Sequence, residues 1–141
     1  MSYGREDLLK KYKDLFDKLG PMCIVRSNRF IITLCGSGKF YEDFVRVEQE
    51  LTELGFLVFK PAYYYHTRDK EYLDSKAAND PTFNIGEFLG DIQKVHFVKI
   101  GISDAVFIVD PGGYIGDATR AEIDAANDYK IPVAYLEPLT V

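Results

Sequence analysis

Short apolar runs rich in β-branched residues alternate with amphipathic segments along most of the chain, and this alternation is what most constrains the fold. A short apolar run bounded by glycine or proline is typical of a buried strand, whereas apolar residues three or four positions apart are typical of a helix. The predicted strands are 30–35, 56–59, 105–109 and 131–136, and the predicted helices between them are 40–54, 85–102 and 117–130.

This pattern of strand, helix and strand predicts an α/β protein. We expect a Rossmann-like, doubly wound parallel sheet of about four to five strands, with an extra N-terminal helix. With right-handed crossovers, the expected strand order is 2-1-3-4, which reverses between strands 1 and 3. Ligands of such sheets bind outside the carboxyl ends of the strands at that point, so the loops beginning at Gly36 and Asp110 are the predicted ligand-binding loops.

Length and charge limit the classes of function. The 141 residues suit one domain over 1–141, with 1–28 as an N-terminal helical extension. A net charge of −5 argues against binding to nucleic-acid polymers, which requires a basic surface. The polar first residues and the short apolar runs predict neither a signal peptide nor a membrane span, so we expect a cytoplasmic protein. The two cysteines, Cys23 and Cys35, indicate neither a disulfide framework nor a metal site.

Two segments lie outside the alternating pattern. Residues 5–19 carry apolar side chains at helical spacing and end at Gly20-Pro21, which predicts a helix that packs on the sheet or on another subunit. Residues 61–83 are polar and aromatic, and a connection of this length is more often a functional lid than a plain link. Within it, Tyr63, Tyr64 and Tyr65 can stack on a base or serve as rim or interface residues.

The first candidate site follows strand 1, where Cys35-Gly36-Ser37-Gly38 precedes a helix. Glycines let the backbone approach a ligand, and the N–H groups of a helix N-terminus attract anions. The alternative is a tight turn with Ser37 as a plain N-cap. The motif is neither a P-loop nor a complete dinucleotide fingerprint, so it predicts neither ATP nor NAD.

The second candidate site runs from Asp110 to Glu122, where three glycines shape a loop before a helix. Asp117 suits an N-cap or first-turn position, and Glu122 lies further along, on a turn that can still face the cleft. A carboxylate among small residues at the mouth of a site is a candidate nucleophile or base. The alternative is a solvent-exposed Glu122 that pairs with Arg120 or Lys130, which is the commoner state of a helical glutamate.

A third group of candidates lies on the helix before strand 3. His96 and Lys99 are three positions apart and therefore share one helix face, so either can point at the cleft. A single helical histidine is more often a surface or capping residue. Ser103 and Asp104 end this helix and introduce strand 3, and capping is their simplest role.

Together these segments resemble the nucleoside 2-deoxyribosyltransferase-like superfamily, in particular a branch of small bacterial and phage proteins. The resemblance covers about residues 29–138, and the segment that ends in Glu122 is its most specific part. The matching segments are Cys-Gly-Ser at 35–37, His96-x-x-Lys99-Ile-x-x-Ser103-Asp104 before strand 3, and Gly113-Tyr-Ile-Gly-x-x-Thr-x-x-Glu122-Ile before strand 4.

The resemblance implies attack on C1′ of a nucleoside or nucleotide by a glutamate at the position of Glu122. Water or a second base then resolves the glycosyl ester, so the implied activity is N-glycosidic bond cleavage or deoxyribosyl transfer without a metal or redox cofactor. Family members often complete their sites across subunits, which implies a homo-oligomer, a dimer or larger. The expected substrate-binding residues are Gly36, Ser37, Phe40, His96, Lys99, Asp110, Gly113, Tyr114, Gly116 and Asp117.

The sequence departs from the family at His96, because many members carry an aspartate near this position. The histidine is expected either to bind a phosphate or another sugar edge, or to mark the loss of transferase activity. Two other functions stay open. One is a noncatalytic nucleotide sensor or sequestering protein on the same fold. The other is an interaction module without a ligand, which predicts an exposed apolar stripe at Leu8, Tyr12 and Leu15.

Overall fold

The computed structural model describes residues 4–20, 30–62 and 67–138. The four predicted strands and the three helices between them are confirmed, each within a few residues of its predicted ends. The helices are α1 (Arg5–Lys11), α2 (Lys13–Leu19), α3 (Tyr41–Glu53), α4 (Thr67–Asn79), α5 (Ile85–Gly101) and α6 (Asp117–Asp128). The strands are β1 (Ile31–Cys35), β2 (Leu57–Phe59), β3 (Ala105–Ile108) and β4 (Val133–Tyr135), and 3-10 turns cover Gly38–Phe40 and Pro111–Gly113.

The strands form one parallel sheet in the order β2-β1-β3-β4, which is the predicted order. Cys35, the last residue of β1, pairs with Ile108, the last residue of β3. The carboxyl ends of β1 and β3 therefore lie side by side where the strand order reverses. The structure confirms the α/β, Rossmann-like class, with helices around an all-parallel sheet.

Helices α1, α2 and α3 cover one face of the sheet. Ile32 and Leu34 of β1 point to this face because successive strand residues alternate in direction. The core on this face consists of Leu8, Tyr12, Leu15, Ile32, Leu34, Phe44, Val47, Leu51, Leu54, Phe56, Ala105, Phe107, Val109 and Ala134. Each large side chain buried here stabilises the fold by about 1.5–3 kcal/mol relative to its exposed state.

Helices α5 and α6 cover the opposite face, towards which Thr33 and Cys35 of β1 point. Its smaller core consists of Cys35, Ile100, Val106, Ile108 and Ala126. The hydroxyls of Thr33 and Ser103 lie 2.5 Å apart, and the Ser103 hydroxyl donates to the carbonyl of Lys99 at 2.6 Å. These bonds fix the C-terminal end of α5 on β1, so Ser103 has the capping role predicted for it.

The N-terminal segment bends at Tyr12, so the prediction of one continuous helix over 5–19 is wrong. Tyr12 has φ −103° and ψ 25° and separates α1 from α2, although its N–H still donates to the carbonyl of Leu8 at 3.0 Å. Its side chain is fully buried, and its hydroxyl donates to Glu50 of α3 at 2.6 Å. We attribute the bend to this anchoring of Tyr12 between the sheet and α3.

The structure contradicts the exposed apolar stripe that the interaction-module hypothesis predicts on these helices. The hypothesis required an exposed stripe at Leu8, Tyr12 and Leu15, but these side chains are between 0% and 3% exposed. The apolar face of α1 and α2 packs against the chain's own sheet, which leaves no such stripe for a partner.

The outer edge of β4 is covered by side chains of α2. The Tyr135 N–H donates to the carboxylate of Asp14 at 2.8 Å, and the Val133 carbonyl accepts from the ammonium of Lys18 at 3.0 Å. Both backbone groups point away from β3, so they would otherwise be unpaired at the edge of the sheet. The first helices thus protect the strand that is most distant from them in sequence.

The prediction of a long loop over 61–83 is wrong for residues 67–79, which form α4. Of its residues from Lys70 onwards, only Leu73 is buried, so the segment lacks the apolar periodicity that identifies a helix in sequence. An i,i+4 ion pair between Lys70 and Asp74 supports this exposed helix. The tyrosines Tyr63 to Tyr65 lie outside the described residues, as do Cys23 and the remainder of 21–29.

Candidate active site

Glu122 lies on the second turn of α6 and faces the sheet. It is 5% exposed, and Thr119 and Ala126, one turn before and after it, are buried on the same helix face. The Nε2 amide of Gln93, on α5, donates to Glu122 Oε2 at 3.0 Å. The alternative of a solvent-exposed Glu122 paired with Arg120 or Lys130 is therefore wrong.

Cys35 and His96 meet Glu122 beneath these two helices. His96 Nε2 lies 3.4 Å from Cys35 Sγ and 3.4 Å from Glu122 Oε2. The His96 and Cys35 side chains are 3% and 0% exposed, so this cluster lies inside the protein. One polar atom from each of the three residues lies within 4.8 Å of the other two. We call Cys35, His96 and Glu122 the buried triplet.

Burial shifts the pKa of each residue towards its neutral form. It raises the pKa of Glu122, while hydrogen bonds from Gln93 and Cys35 act in the opposite direction. Burial also raises the pKa of the Cys35 thiol, and the negative charge of Glu122 adds to this effect. Burial lowers the pKa of His96 to about 4, with a contribution from the charge of Lys99. At neutral pH the thiol and the imidazole are both uncharged.

The geometry does not fit a catalytic relay in which Cys35 is the nucleophile, His96 its base and Glu122 the acid that orients His96. A nucleophilic relay needs one ring nitrogen for the nucleophile and the other for the orienting acid. Here Cys35 and Glu122 both approach Nε2, while Nδ1 is buried and has no hydrogen-bond partner in the described parts of the chain. The raised pKa of Cys35 also disfavours the thiolate that such a nucleophile requires. Glu122 is left as the candidate nucleophile of the group.

The loop after β1 supports the site mainly through packing. Gly36 has φ +155°, and a Cβ at this position would lie 2.6 Å from the carbonyl oxygen of Val109. Ser37 Oγ accepts a long hydrogen bond of 3.4 Å from Lys39 N, so Ser37 is the N-cap of the following 3-10 turn. This is the turn-and-cap alternative that the sequence left open.

The loops after β1 and β3 touch each other above the sheet edge. The rings of Phe40 and Tyr114 pack edge to face with centroids 5.8 Å apart, and Lys39 Nζ lies 3.4 Å from the centroid of the Tyr114 ring. Tyr114 is still 47% exposed. Two predicted substrate-binding residues, Phe40 and Tyr114, are thus brought together at the edge where ligands of such sheets bind.

The remaining candidates of the second loop have structural contacts. Asp110 is 2% exposed, and its carboxylate accepts a hydrogen bond from the Glu137 N–H at 3.0 Å. This bond holds the segment after β4 in place. Burial raises the pKa of Asp110. Gly113, with φ +79°, donates from its N–H to the Asp110 carbonyl at 2.7 Å. Gly116 is the N-cap of α6, and Asp117 is an exposed first-turn residue, as its position predicted.

Lys99 points away from the buried triplet towards β2. Its ammonium donates to the Lys60 carbonyl at 2.9 Å, and burial lowers the pKa of Lys99. It borders a cavity of about 380 Å³, within the size range of small-molecule sites. The lining residues are Tyr41, Glu48, Val58, Phe59, Lys60, Pro61, Ala62 and Lys99. Because His96 and Lys99 are one turn apart on α5, this cavity and the triplet share that helix.

Sequence reasoning missed two side chains of the site. Cys35 was considered only as part of a glycine-rich turn, although the alternation of side chains along β1 places it on the same face of the sheet as Thr33. Gln93 was not considered, yet it lies three residues before His96 and therefore on the same side of α5. Helix and strand periodicity would have found both residues, had the face covered by α5 and α6 been known.

Comparison of the chain with family models, curated proteins and solved structures found no match, so function is inferred from the site itself. In the described ranges 4–20, 30–62 and 67–138, no helix combines the length and apolar character needed to cross a membrane.

Proposed function

We propose that this protein breaks the N-glycosidic bond of a nucleoside or nucleotide, as a cytoplasmic hydrolase or deoxyribosyltransferase, with Glu122 as the nucleophile. The observation that carries the proposal is the setting of Glu122. Its carboxylate is buried beside Cys35, the last residue of β1, and is held by the neutral donors Gln93 and Cys35. No lysine or arginine among the described residues pairs with it.

This setting suits a carboxylate that must attack carbon. An ion pair with lysine or arginine would stabilise the carboxylate and weaken it as a nucleophile, whereas neutral donors orient it at a smaller cost in reactivity. Partial desolvation in the same place raises the carboxyl pKa and the basicity of the anion. The fold adds a second argument, because the carboxylate lies near the point where the strand order reverses.

The proposed reaction has two steps. A Glu122 oxygen forms a bond to C1′ while the bond between C1′ and the base nitrogen breaks. The electron pair of the broken bond leaves with the base, which then takes a proton from water. Water or a second base then attacks C1′ and releases the Glu122 carboxylate. His96 is not the acid of the first step at neutral pH, because its pKa of about 4 leaves it unprotonated.

The substrate is proposed to lie between the cavity beside Lys99 and the loops after β1 and β3, which carry Phe40 and Tyr114. The Phe40 and Tyr114 rings offer a stacking surface for a base, and Lys99 offers positive charge for a phosphate. Lys60 lines the same cavity, but its ammonium already pairs with Glu48 at 2.9 Å. Since Glu122 is only 5% exposed, the Phe40 and Tyr114 loops are expected to separate when a sugar enters. This arrangement favours a nucleotide over a free nucleoside.

The test is release of free base from a panel of ribo- and deoxyribonucleosides and their 5′-monophosphates, followed by chromatography. We expect release from at least one compound, and we expect Glu122→Gln to reduce it by about 1,000-fold or more, because glutamine keeps the shape but is not a nucleophile. Asp124→Asn is the matched control, since Asp124 is an exposed acid on the same helix. Equal release by the wild type and Glu122→Gln, or none from any compound, would refute the enzymatic proposal.

The second candidate function is nucleotide binding without catalysis, and the near-complete burial of Glu122 favours it. It predicts nucleotide binding by calorimetry with no base released, and an affinity that Glu122→Gln leaves unchanged.

A homo-oligomer remains part of the proposal. It is supported by the exposed apolar side chains of Val95 and Val98 on α5 and of Ile102, the residue after that helix. Native mass spectrometry of the whole chain tests it.

A further inference from the structure

The polar atoms of the buried triplet have the spacing of ligands around one metal ion. Zinc bonds of about 2.3 Å to sulfur and about 2.0 Å to nitrogen and oxygen, at tetrahedral angles, place ligand sulfur and nitrogen about 3.5 Å apart and ligand nitrogen and oxygen about 3.3 Å apart. The observed separations are 3.4 Å from Cys35 Sγ to His96 Nε2 and 3.4 Å from His96 Nε2 to Glu122 Oε2. Both lie within about 0.2 Å of these values. The third pair, the Cys35 sulfur and a Glu122 carboxylate oxygen, lies within 4.8 Å.

Hydrogen bonding accounts less well for this arrangement. The 3.4 Å between His96 Nε2 and Glu122 Oε2 exceeds the usual range of about 2.7–3.2 Å for an N–H···O hydrogen bond. Three polar side chains are thus brought together inside the protein without a strong bond from the imidazole to the carboxylate.

We propose that Cys35, His96 and Glu122 bind a divalent transition-metal ion of the zinc class. One sulfur, one nitrogen and one oxygen ligand form a set that zinc accepts, and three protein ligands leave the fourth tetrahedral position open. Binding releases the thiol proton to solvent, because a metal-bound cysteine is a thiolate. This proposal departs from the sequence-based expectation of no metal, which rested on the presence of only two cysteines and on the family resemblance.

Gln93 has the role of a supporting residue in this site. Its amide holds Glu122 Oε2 at 3.0 Å and so orients the carboxylate towards the other two ligands. Partners that orient ligands in this way commonly change metal affinity by about 10- to 100-fold when they are removed. The metal site does not depend on the proposed glycosidase activity, although a bound metal would keep Glu122 from reaching a sugar carbon.

The test uses the whole chain, freed of metal with a chelator, and titrated first with Co²⁺ and then with Zn²⁺. We expect one Co²⁺ per chain, visible absorption bands of tetrahedral cobalt and a thiolate-to-cobalt charge-transfer band in the near ultraviolet. One equivalent of Zn²⁺ should remove these bands and raise the thermal unfolding midpoint, because it binds the folded state.

Variants assign the ligands. Cys35→Ser should abolish the charge-transfer band, and Glu122→Gln and Gln93→Leu should each weaken Co²⁺ binding by about tenfold or more. Cys23→Ser is the matched control and should keep the band, since Cys23 is the chain's other cysteine. Metal-free melting curves of each variant show whether it folds, so that lost binding is not confused with lost structure.

Two results would overturn the metal site. One is a wild-type protein that takes up no Co²⁺ or Zn²⁺ at stoichiometric concentrations, and the other is a charge-transfer band that survives in folded Cys35→Ser. The base-release assay, run in chelator, separates this failure from that of the proposed function. Base release without metal binding would refute only the metal-site proposal. Metal binding without base release would refute only the glycosidase proposal.

Discussion

Gly36, the residue after β1, lies close to the backbone of Val109, the residue after β3. Its backbone passes so near β3 that a methyl group would overlap the Val109 carbonyl at 2.6 Å and touch the Phe44 ring at 3.1 Å. Carbon atoms in proteins essentially never approach a backbone oxygen this closely, so backbone or ring would have to move. The glycine after β1 thus keeps the ends of β1 and β3 together beneath the site.

We predict that Gly36→Ala lowers the free energy of unfolding by about 3 kcal/mol, the upper part of the range for overpacking and backbone strain. Urea denaturation followed by circular dichroism measures the change. Gly112→Ala is the control, because Gly112 also has a positive φ, of +67°, but has no atom within 4 Å of an added Cβ. Its cost should be only about 1 kcal/mol, and equal costs at both positions would show that strand contact is not the cause.

At the scale of single elements, helix α2 serves as the edge protection of the sheet. Asp14 accepts the outward N–H of Tyr135, and Lys18 donates to the outward carbonyl of Val133. Asp14 and Lys18 also approach each other at 3.6 Å, so the two side chains form one polar strip along β4. An unprotected edge strand is a template for pairing with other chains, and this strip occupies it.

We predict that Asp14→Ala destabilises the fold by about 1.5 kcal/mol, the value of a hydrogen bond to a charged acceptor that is partly open to solvent. It should also speed hydrogen exchange of the Tyr135 amide, measured by NMR. The control is Asp17→Ala on the same helix, whose carboxylate pairs with Lys13 in an exposed i,i+4 pair. That change should cost about 0.5 kcal/mol or less and leave the Tyr135 amide unaffected.

At the scale of the molecule, a buried polar contact joins the N-terminal helices to α3. The hydroxyl of Tyr12 and the ammonium of Lys11 both donate to Glu50 Oε1 at 2.6 Å. Burial raises the pKa of Tyr12, and the hydrogen bond to Glu50 and its charge act in the same direction. The folded protein therefore retains this proton at a pH where the unfolded chain has lost it.

A pH dependence follows from this shift. The folded-state pKa of Tyr12 lies above its ordinary value of 10.0, so its contribution is present in full below pH 10 and is lost as the pH rises above 10. We predict that above pH 10 the wild type loses up to about 1.4 kcal/mol of unfolding free energy per pH unit through Tyr12, and that Tyr12→Phe lacks this loss. Urea titrations at several pH values test this, with Tyr129→Phe, at a 61% exposed position, as control. Identical alkaline slopes in all three proteins would contradict it.

The sheet was predictable because its signals are local. Each buried strand is a short apolar run that ends at glycine, proline or a polar turn, and parallel pairing with right-handed crossovers restricts the strand order. The bend at Tyr12 was not predictable, since it depends on Glu50, which is 38 residues away. Helix α4 was missed for the opposite reason, because it buries too little to show periodicity.

The candidate site was predictable only in part. The position of Glu122 followed from its distance into α6, and the side chain lies at the predicted sheet edge. Asp104, for which capping was the simplest predicted role, accepts from the Ile31 N–H at 2.7 Å, a contact with β1 that local sequence does not indicate. The convergence of Cys35 and His96 needs the packing of α5 on β1, which no local pattern encodes.

The coverage of β4 by α2 also has a consequence for synthesis on the ribosome. Asp14 and Tyr135 are 121 residues apart, so at about 5–20 residues per second the helix precedes its strand by roughly 6 to 24 s. For most of that interval α2 lacks the strands β3 and β4 on which it docks. Once β3 has been made, its edge stays open for the roughly 1 to 5 s taken by the next 25 residues, from Ile108 to Val133. The nascent chain therefore exposes the apolar face of α2 until its last strand has been made.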